Sequence, residues 1–230
     1  MRGRGQQSFV KLPRFAARLY ENLTATAGIQ CQQREIAAWI AARRASGRLL
    51  DLGCGPGGLL LELRHAAPGL RLYGLDISSA MVERALARLA GQMIEVRQGD
   101  ARASGFPDNF FDAITSTGSF YLWDEPVACL NEIFRILQPG RNAWLFESHS
   151  DCDREAAQQA VRANLRGENL PRRLLAPRFF AKQLAMTYRE AEIAEIVCCS
   201  RFASCFRLDR TALAGVPAFV RLELVKAASA

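Results

Sequence analysis

From residue 48 onward the chain alternates between two kinds of apolar spacing. Short runs of strand length, rich in leucine, isoleucine and valine, give way to longer stretches whose apolar residues return every three or four positions. The spacing predicts strands over 48–53, 70–75, 93–98, 110–116 and 142–147, and helices over 57–66, 78–90 and 124–138. In the last helix Val127, Leu130, Phe134 and Leu137 form one stripe, Asp124 is placed to cap the start, and Pro139-Gly140 to end it. Strands that alternate with helices imply an α/β fold with a parallel, doubly wound sheet and right-handed crossovers.

The flanks follow different patterns. Leu19, Leu23, Ile36, Trp39 and Ile40 recur at helical spacings, which predicts N-terminal helices within about 12–45. Residues 151–183 are polar, arginine-rich and interrupted by Pro171 and Pro177, and are expected to form a helical insertion after the fifth strand. A closing helix over 188–199 precedes two β-leaning runs, 202–208 and 219–225, joined through Ala214-Gly215-Val216-Pro217 as an antiparallel pair. The expectation is a single domain over 1–230, with residues 48–147 as its core.

Composition narrows the class. Half of the 230 residues are hydrophobic, enough for one full core. No apolar run is long enough to span a bilayer, and Arg2 and Arg4 are not followed by the apolar stretch of a secretion signal, so a cytoplasmic protein is expected. Seven cysteines without a C-x-x-C pair suit neither a disulfide framework nor a zinc knuckle, so reduced thiols and no metal are expected. The net charge of +7 is carried mostly by arginines interspersed on what read as solvated helix faces. One cluster stands apart: Arg162, Arg166, Arg172, Arg173 and Arg178 fall in the insertion, where they could grip an acidic group.

The chemistry is concentrated where parallel strands end, the ligand-binding rim of such a sheet. Leu49-Leu50-Asp51-Leu52-Gly53-Cys54-Gly55-Pro56-Gly57-Gly58 reads as a buried strand breaking into a glycine-rich turn that opens a helix. By itself the turn is ambiguous. Gly53, Gly55 and Gly58 satisfy the dinucleotide pattern G-x-G-x-x-G, and Asp76 lies about twenty residues on, as that pattern asks. Two further strand ends carry signals that a dehydrogenase does not need: Gly99-Asp100-Ala101, and Thr115-Ser116-Thr117-Gly118.

Leu49 to Gly58, Tyr73-Gly74-Leu75-Asp76-Ile77-Ser78, Gly99-Asp100-Ala101, Phe106-Pro107-Asp108-Asn109-Phe110-Phe111-Asp112 and Leu137-Gln138-Pro139-Gly140 together resemble the class I S-adenosylmethionine-dependent methyltransferases. The nearest likeness is to the small-molecule branch that includes ubiquinone/menaquinone-type C-methyltransferases. The resemblance is strong over 48–147. It is weaker at both ends, where Ala17-Arg18-Leu19-Tyr20-Glu21 is similar to that branch's N-terminal aromatic-acidic motif. It implies a Rossmann-like, seven-stranded sheet closed by the C-terminal hairpin, with S-adenosylmethionine as cofactor. It further implies that Gly53 and Gly55 cradle the methionine part and that Asp51 anchors that loop and the ligand's ammonium. Asp76 would accept from the ribose hydroxyls, Asp100 and Ala101 would flank the adenine, and Ile77 and Met81 would cover its face. Thr117 would sit near the methionine end, and Tyr20 would close over it. A carboxylate that accepts two hydroxyls at once suits the ribose assignment.

Methyl transfer from a sulfonium needs mainly in-line alignment, and a base only where the nucleophile must lose a proton. Rim candidates for that proton are Tyr121, Asp124, Glu147 and His149, the histidine lying just beyond a strand end. The stretch Ser119-Phe120-Tyr121-Leu122-Trp123 stands where many relatives have a histidine. It points to a small-molecule acceptor that is aromatic or apolar, with the arginine cluster allowing an acidic one. Alternatives are a nucleic-acid methyltransferase, disfavoured because Thr115-Ser116-Thr117-Gly118 is not Asn/Asp-Pro-Pro-aromatic, and an arsenite methyltransferase drawing on Cys54, Cys152, Cys198, Cys199 and Cys205. A non-catalytic S-adenosylmethionine-binding regulator is a third.

Overall fold

The structure, a computed structural model, describes residues 25–228. Seven strands form one sheet in the order β3-β2-β1-β4-β5-β7-β6. β1 (Ser46–Leu52), β2 (Gly69–Asp76), β3 (Glu95–Gln98), β4 (Phe111–Thr117) and β5 (Leu137–Ser148) run parallel. β6 (Phe206–Leu213) and β7 (Val216–Val225) add an antiparallel hairpin to β5. The order reverses between β1 and β4, which leaves a crevice beyond their C-terminal ends.

Strand period 2 divides the core into two layers. Leu49, Leu72, Ala113, Trp144 and Phe146 face one side, against Ile36 and Ile40 of α1 (Ala27–Ala41), Leu60 and Leu63 of α2 (Gly58–Ala66) and Ala85 of α3 (Ser79–Arg88). Leu50, Leu52, Ile114 and Leu145 face the other, against Leu130 and Ile133 of α4 (Pro126–Ile136) and Ile193 of α7 (Glu190–Cys198). Each such leucine or isoleucine, wholly removed from water, contributes about 1.5–3 kcal/mol of transfer free energy. The insertion forms α5 (Arg154–Asn164) and α6 (Leu170–Leu184) over the first layer.

Several expected boundaries shift. α4 starts at Pro126 rather than at a helix capped by Asp124; Glu125 occupies the cap position without a side-chain bond, and proline at the first helical position supplies the start. Pro139-Gly140 does not follow a helix end into a loop. Gly140, at φ +72°, lies inside β5, where the register moves from Phe111↔Leu137 to Ala113↔Asn142, so the extra residues form a bulge. The hairpin turn is the two-residue Ala214-Gly215, both at positive φ, so Val216 and Pro217 already belong to β7. Phe202 lies before β6 and is fully buried. Pro171 sits in the first turn of α6, capped by Asn169, and Pro177 lies within the helix. Of the expected N-terminal helices, α1 is described; Ala17 to Glu21, with Tyr20, lie outside the described residues. Among the described residues no helix is long and apolar enough to cross a membrane.

Candidate functional site

Beyond the ends of β1 and β2 the glycine turn wraps a cavity of about 600 Å³, of ordinary size for a small-molecule site. Its backbone is built against β2: the amides of Gly53 and Cys54 both donate to the Leu75 carbonyl, at 2.7 and 3.1 Å. Gly53 has φ +77° and Gly55 φ +51°, left-handed values that side chains disfavour. A Cβ on Gly53 would come within 2.8 Å of the Ser119 Cβ, whereas the space beside Gly55 is open.

Two carboxylates stand at this end. Asp76 accepts the Gly55 amide through Oδ2 (2.8 Å) and the Ser78 amide through Oδ1 (2.9 Å), so it pins the turn to the start of α3. Burial raises its pKa and those two bonds lower it, with burial the larger effect. Asp51 is buried in the last turns of β1, and its pKa is pushed up to about 7 by burial and by the charge of Asp76. Two acidic groups held close in a low-dielectric wall favour a cation or hydroxyl donors arriving from the cavity.

Asp51, Gly53, Gly55, Asp76, Ile77, Met81, Ala101 and Thr117 all line this one cavity. The Thr117 hydroxyl is buried there without a hydrogen-bond partner among the described residues. Asp100 is absent from the lining. Its carboxylate turns to Arg102, accepting that residue's amide at 2.8 Å and its guanidinium at 2.7 Å, which lowers its pKa. Its neighbours Gly99 and Ala101 reach the cavity instead.

None of the rim candidates for proton transfer lines the cavity. Tyr121 is buried in the 3₁₀ turn Phe120–Leu122. Glu147 lies beneath that turn: its Oε1 accepts the amides of Ser119 and Phe120 at 3.1 and 3.2 Å, and burial pushes its pKa up to about 8. His149 is buried with Nδ1 2.6 Å from Asp151 Oδ1 and 3.3 Å from Glu190 Oε1, tying the start of the insertion to α7. These three side chains converge as metal ligands can, but Arg210 already holds Glu190 Oε1 at 2.6 Å. Of the cysteines, Cys54 lines the cavity and the other six do not.

The rest of the lining comes from parts of the chain without a motif. Ile29 and Gln33 of α1, Phe180 and Gln183 of α6, and Phe219 of β7 complete it, with Leu122 and Trp123 beside them. Phe120 packs behind Trp123, with ring centres 5.0 Å apart, rather than on the lining. The signal for Phe180 and Gln183 was a helix inserted after the fifth strand; nothing in their spacing marks them as cavity residues.

Comparison with known proteins agrees with this geometry. Residues 50–144 match the family described as "Methyltransferase domain". The demethylmenaquinone methyltransferase of Thermus thermophilus is 35% identical over 122 residues, covering 52% of this chain and 56% of that protein. The chain thus spans about half the length of the curated relatives it matches. Among solved structures, the plantazolicin methyltransferase BamL, in complex with a triazolic desmethyl analogue and S-adenosylhomocysteine, superposes with a TM-score of 0.73 at 12% identity, over 96% of this chain and 94% of that one. A SAM-dependent methyltransferase from Aquifex aeolicus gives 0.64 at 17% identity, over 93% and 98%. The match over the core and the superpositions over nearly the whole chain give this chain the α/β, Rossmann-like fold of S-adenosylmethionine-dependent methyltransferases.

Proposed function

We propose that the protein transfers a methyl group from S-adenosylmethionine to a small planar acceptor of the hydroquinone class. The observation that carries this reading is how the cavity lining is made up: a glycine turn with two carboxylates, Asp51 buried and Asp76 half-buried, together with aromatic and amide side chains. The carboxylate end fits the cofactor. Asp76 offers paired acceptor oxygens for ribose hydroxyls, Asp51 an anionic partner for the ammonium, and Thr117 an unused hydroxyl. Ile77 and Met81 would cover the adenine face, Gly99 and Ala101 would flank its edge, and Tyr20 would close over the methionine end. The cofactor supplies an electrophilic methyl on a sulfonium, and the chain's part is to hold the acceptor in line and keep water away.

The aromatic and amide part of the lining fits the acceptor. Trp123, Phe180 and Phe219 offer ring faces and edges, while Gln33 and Gln183 offer amides to ring hydroxyls. The similarity to a demethylmenaquinone methyltransferase supports the same class. Glu147 acts as a positioning residue: it holds the Ser119-Phe120 turn, whose Ser119 lines the cavity.

Two measurements test the reading. Calorimetry is expected to show binding of S-adenosylmethionine and of its demethylated product; binding of NAD with no response to either would overturn the cofactor assignment. With labelled methyl donor, label is expected in substituted hydroquinones. Label confined to fatty acids or to phosphoethanolamine would overturn the acceptor assignment while leaving the cofactor intact.

A further inference from the structure

The arginine cluster of the insertion takes no part in the cavity and lies on the outer side of α5 and α6. Between these helices runs a groove of about 480 Å³ lined by Arg162, Arg173 and Arg178 together with Leu165, Leu170 and Leu174, and by no carboxylate. Several arginines elsewhere on the surface are paired with carboxylates: Arg102 with Asp100 and Glu125, Arg135 with Asp108 and Glu132, Arg207 and Arg221 with Asp209. Within the insertion Arg172 is held by Glu168 at 2.7 Å, and Arg178 donates to the Leu174 carbonyl. Arg162 and Arg173 have no acidic partner among the described residues. The same helix also carries Leu170, Leu174 and Leu175, exposed at 65%, 52% and 47%. The other large apolar side chains exposed among the described residues, Leu86 and Met93, lie in the region of α3.

Unpaired arginines beside protruding leucines on one helix are the composition of an interfacial surface: apolar tips enter the acyl boundary while long cationic side chains reach lipid phosphates. We propose that the outer face of α6, with Arg162 of α5, docks on an anionic lipid bilayer. A bilayer fits better than an acidic peptide lying in the groove, because Leu175 is exposed yet lies outside the groove lining, and a peptide filling the groove would leave it in water. Docking would also have a consequence for the site. Phe180 and Gln183, on the cavity wall, follow Leu174 along α6 by six and nine residues, about 9 and 14 Å of helix. An acceptor dissolved in the membrane would thus meet the cavity wall one short step from the lipid surface. That consequence rests on the hydroquinone reading; the docking itself does not.

Flotation of the full chain with vesicles tests the proposal without any methyl transfer. The protein is expected to float with vesicles of phosphatidylcholine mixed with phosphatidylglycerol, and not with phosphatidylcholine alone, and added salt should weaken the binding. Exchanging Arg162, Arg173 and Arg178 together for glutamine should weaken it on the order of a hundredfold, and Leu170→Ser with Leu174→Ser roughly tenfold. These side chains are off the cofactor cavity, so calorimetric binding of S-adenosylmethionine should be unchanged and report that each variant is folded. Equal binding to both vesicle types, binding to neither, or variants that float like wild type would overturn the proposal. So would sizing that shows the leucines joining two copies of the chain, with vesicle binding untouched. Failure of the methyltransferase reading would appear in the calorimetry and leave the flotation result standing.

Discussion

The two walls of the cavity are built on opposite principles. The wall at β1 and β2 is defined by backbone: left-handed glycines, amides tied to the Leu75 carbonyl, and Asp76 spanning the turn and the start of α3. The wall at α1 and α6 is defined by side chains on helices, Gln33, Phe180 and Gln183, and these can be exchanged without altering the path of the chain. A backbone-defined site tolerates little change and suits a ligand that never varies. A side-chain-defined one can be reshaped residue by residue, as an acceptor site must be when one fold serves many substrates.

The sharpest way to break this contrast is at Asp76. Asp76→Ala would strand the Gly55 and Ser78 amides, each costing about 1–3 kcal/mol when buried, besides removing the proposed ribose acceptor. Calorimetry should show cofactor affinity falling at least on the order of a hundredfold. Gly53→Ala should fall in the same direction, since its Cβ meets Ser119 and its φ is disfavoured. Affinity unchanged in both variants would mean that this wall is not the cofactor's.

Asp51 turns the contrast into a pH dependence. Its folded pKa, about 7, lies above the ordinary 3.8, so the folded state binds a proton more tightly than the unfolded chain does. That contribution to stability is complete below pH 3.8 and is lost as pH rises through about 7, to the extent of roughly 4 kcal/mol. Without ligand, Asp51→Asn should therefore exceed wild type in melting temperature by a margin that grows between about pH 4 and 7. Binding of the cationic cofactor runs the other way. Wild-type affinity should increase with pH up to about 7, by at most about tenfold per unit, and the slope should vanish in Asp51→Asn.

The same division decides how much could be read from sequence. The backbone-defined wall was legible because left-handed turns require glycine and strand-end carboxylates recur at fixed places; Asp51, Gly53, Gly55 and Asp76 all line one cavity. The alternation of strands and helices and the closing hairpin were legible through period. Asp100 shows the limit: its position at a strand end is correct, but Arg102, two residues on, takes its carboxylate. The motif through Asp112 is of another kind, since that carboxylate accepts the Arg48 amide at the start of β1 and braces the sheet far from the cavity. Phe180 and Gln183 were illegible because they reach the site through tertiary packing of an insertion, and local spacing carries no trace of what a helix will face.

A smaller effect is expected on the side-chain wall. Phe180→Ala and Gln183→Ala should raise the acceptor KM by about tenfold each, from a lost ring contact or a lost amide bond, with cofactor affinity unchanged. A fall in cofactor affinity instead, measured by calorimetry, would show that the two walls are not separable.

The least effect is expected at Glu147, and it discriminates between roles. If this carboxylate removed a proton from the acceptor, Glu147→Gln would lower kcat by the 10²–10⁴-fold, roughly, that general bases contribute. Its position argues otherwise: Oε1 is taken up by the Ser119 and Phe120 amides, and a glutamine oxygen can accept both. With its pKa raised to about 8 by burial, the group is mostly protonated at neutral pH, so the amide copies the state already present. Glu147→Gln should thus keep kcat near wild type at pH 7, and its margin in melting temperature over wild type should grow from about pH 4.5 to about 8, because the folded carboxyl binds its proton more tightly than the unfolded chain does. Glu147→Ala, which leaves two backbone donors without an acceptor, should lower the melting temperature and raise the acceptor KM together, as expected of a residue that acts by holding the turn in place.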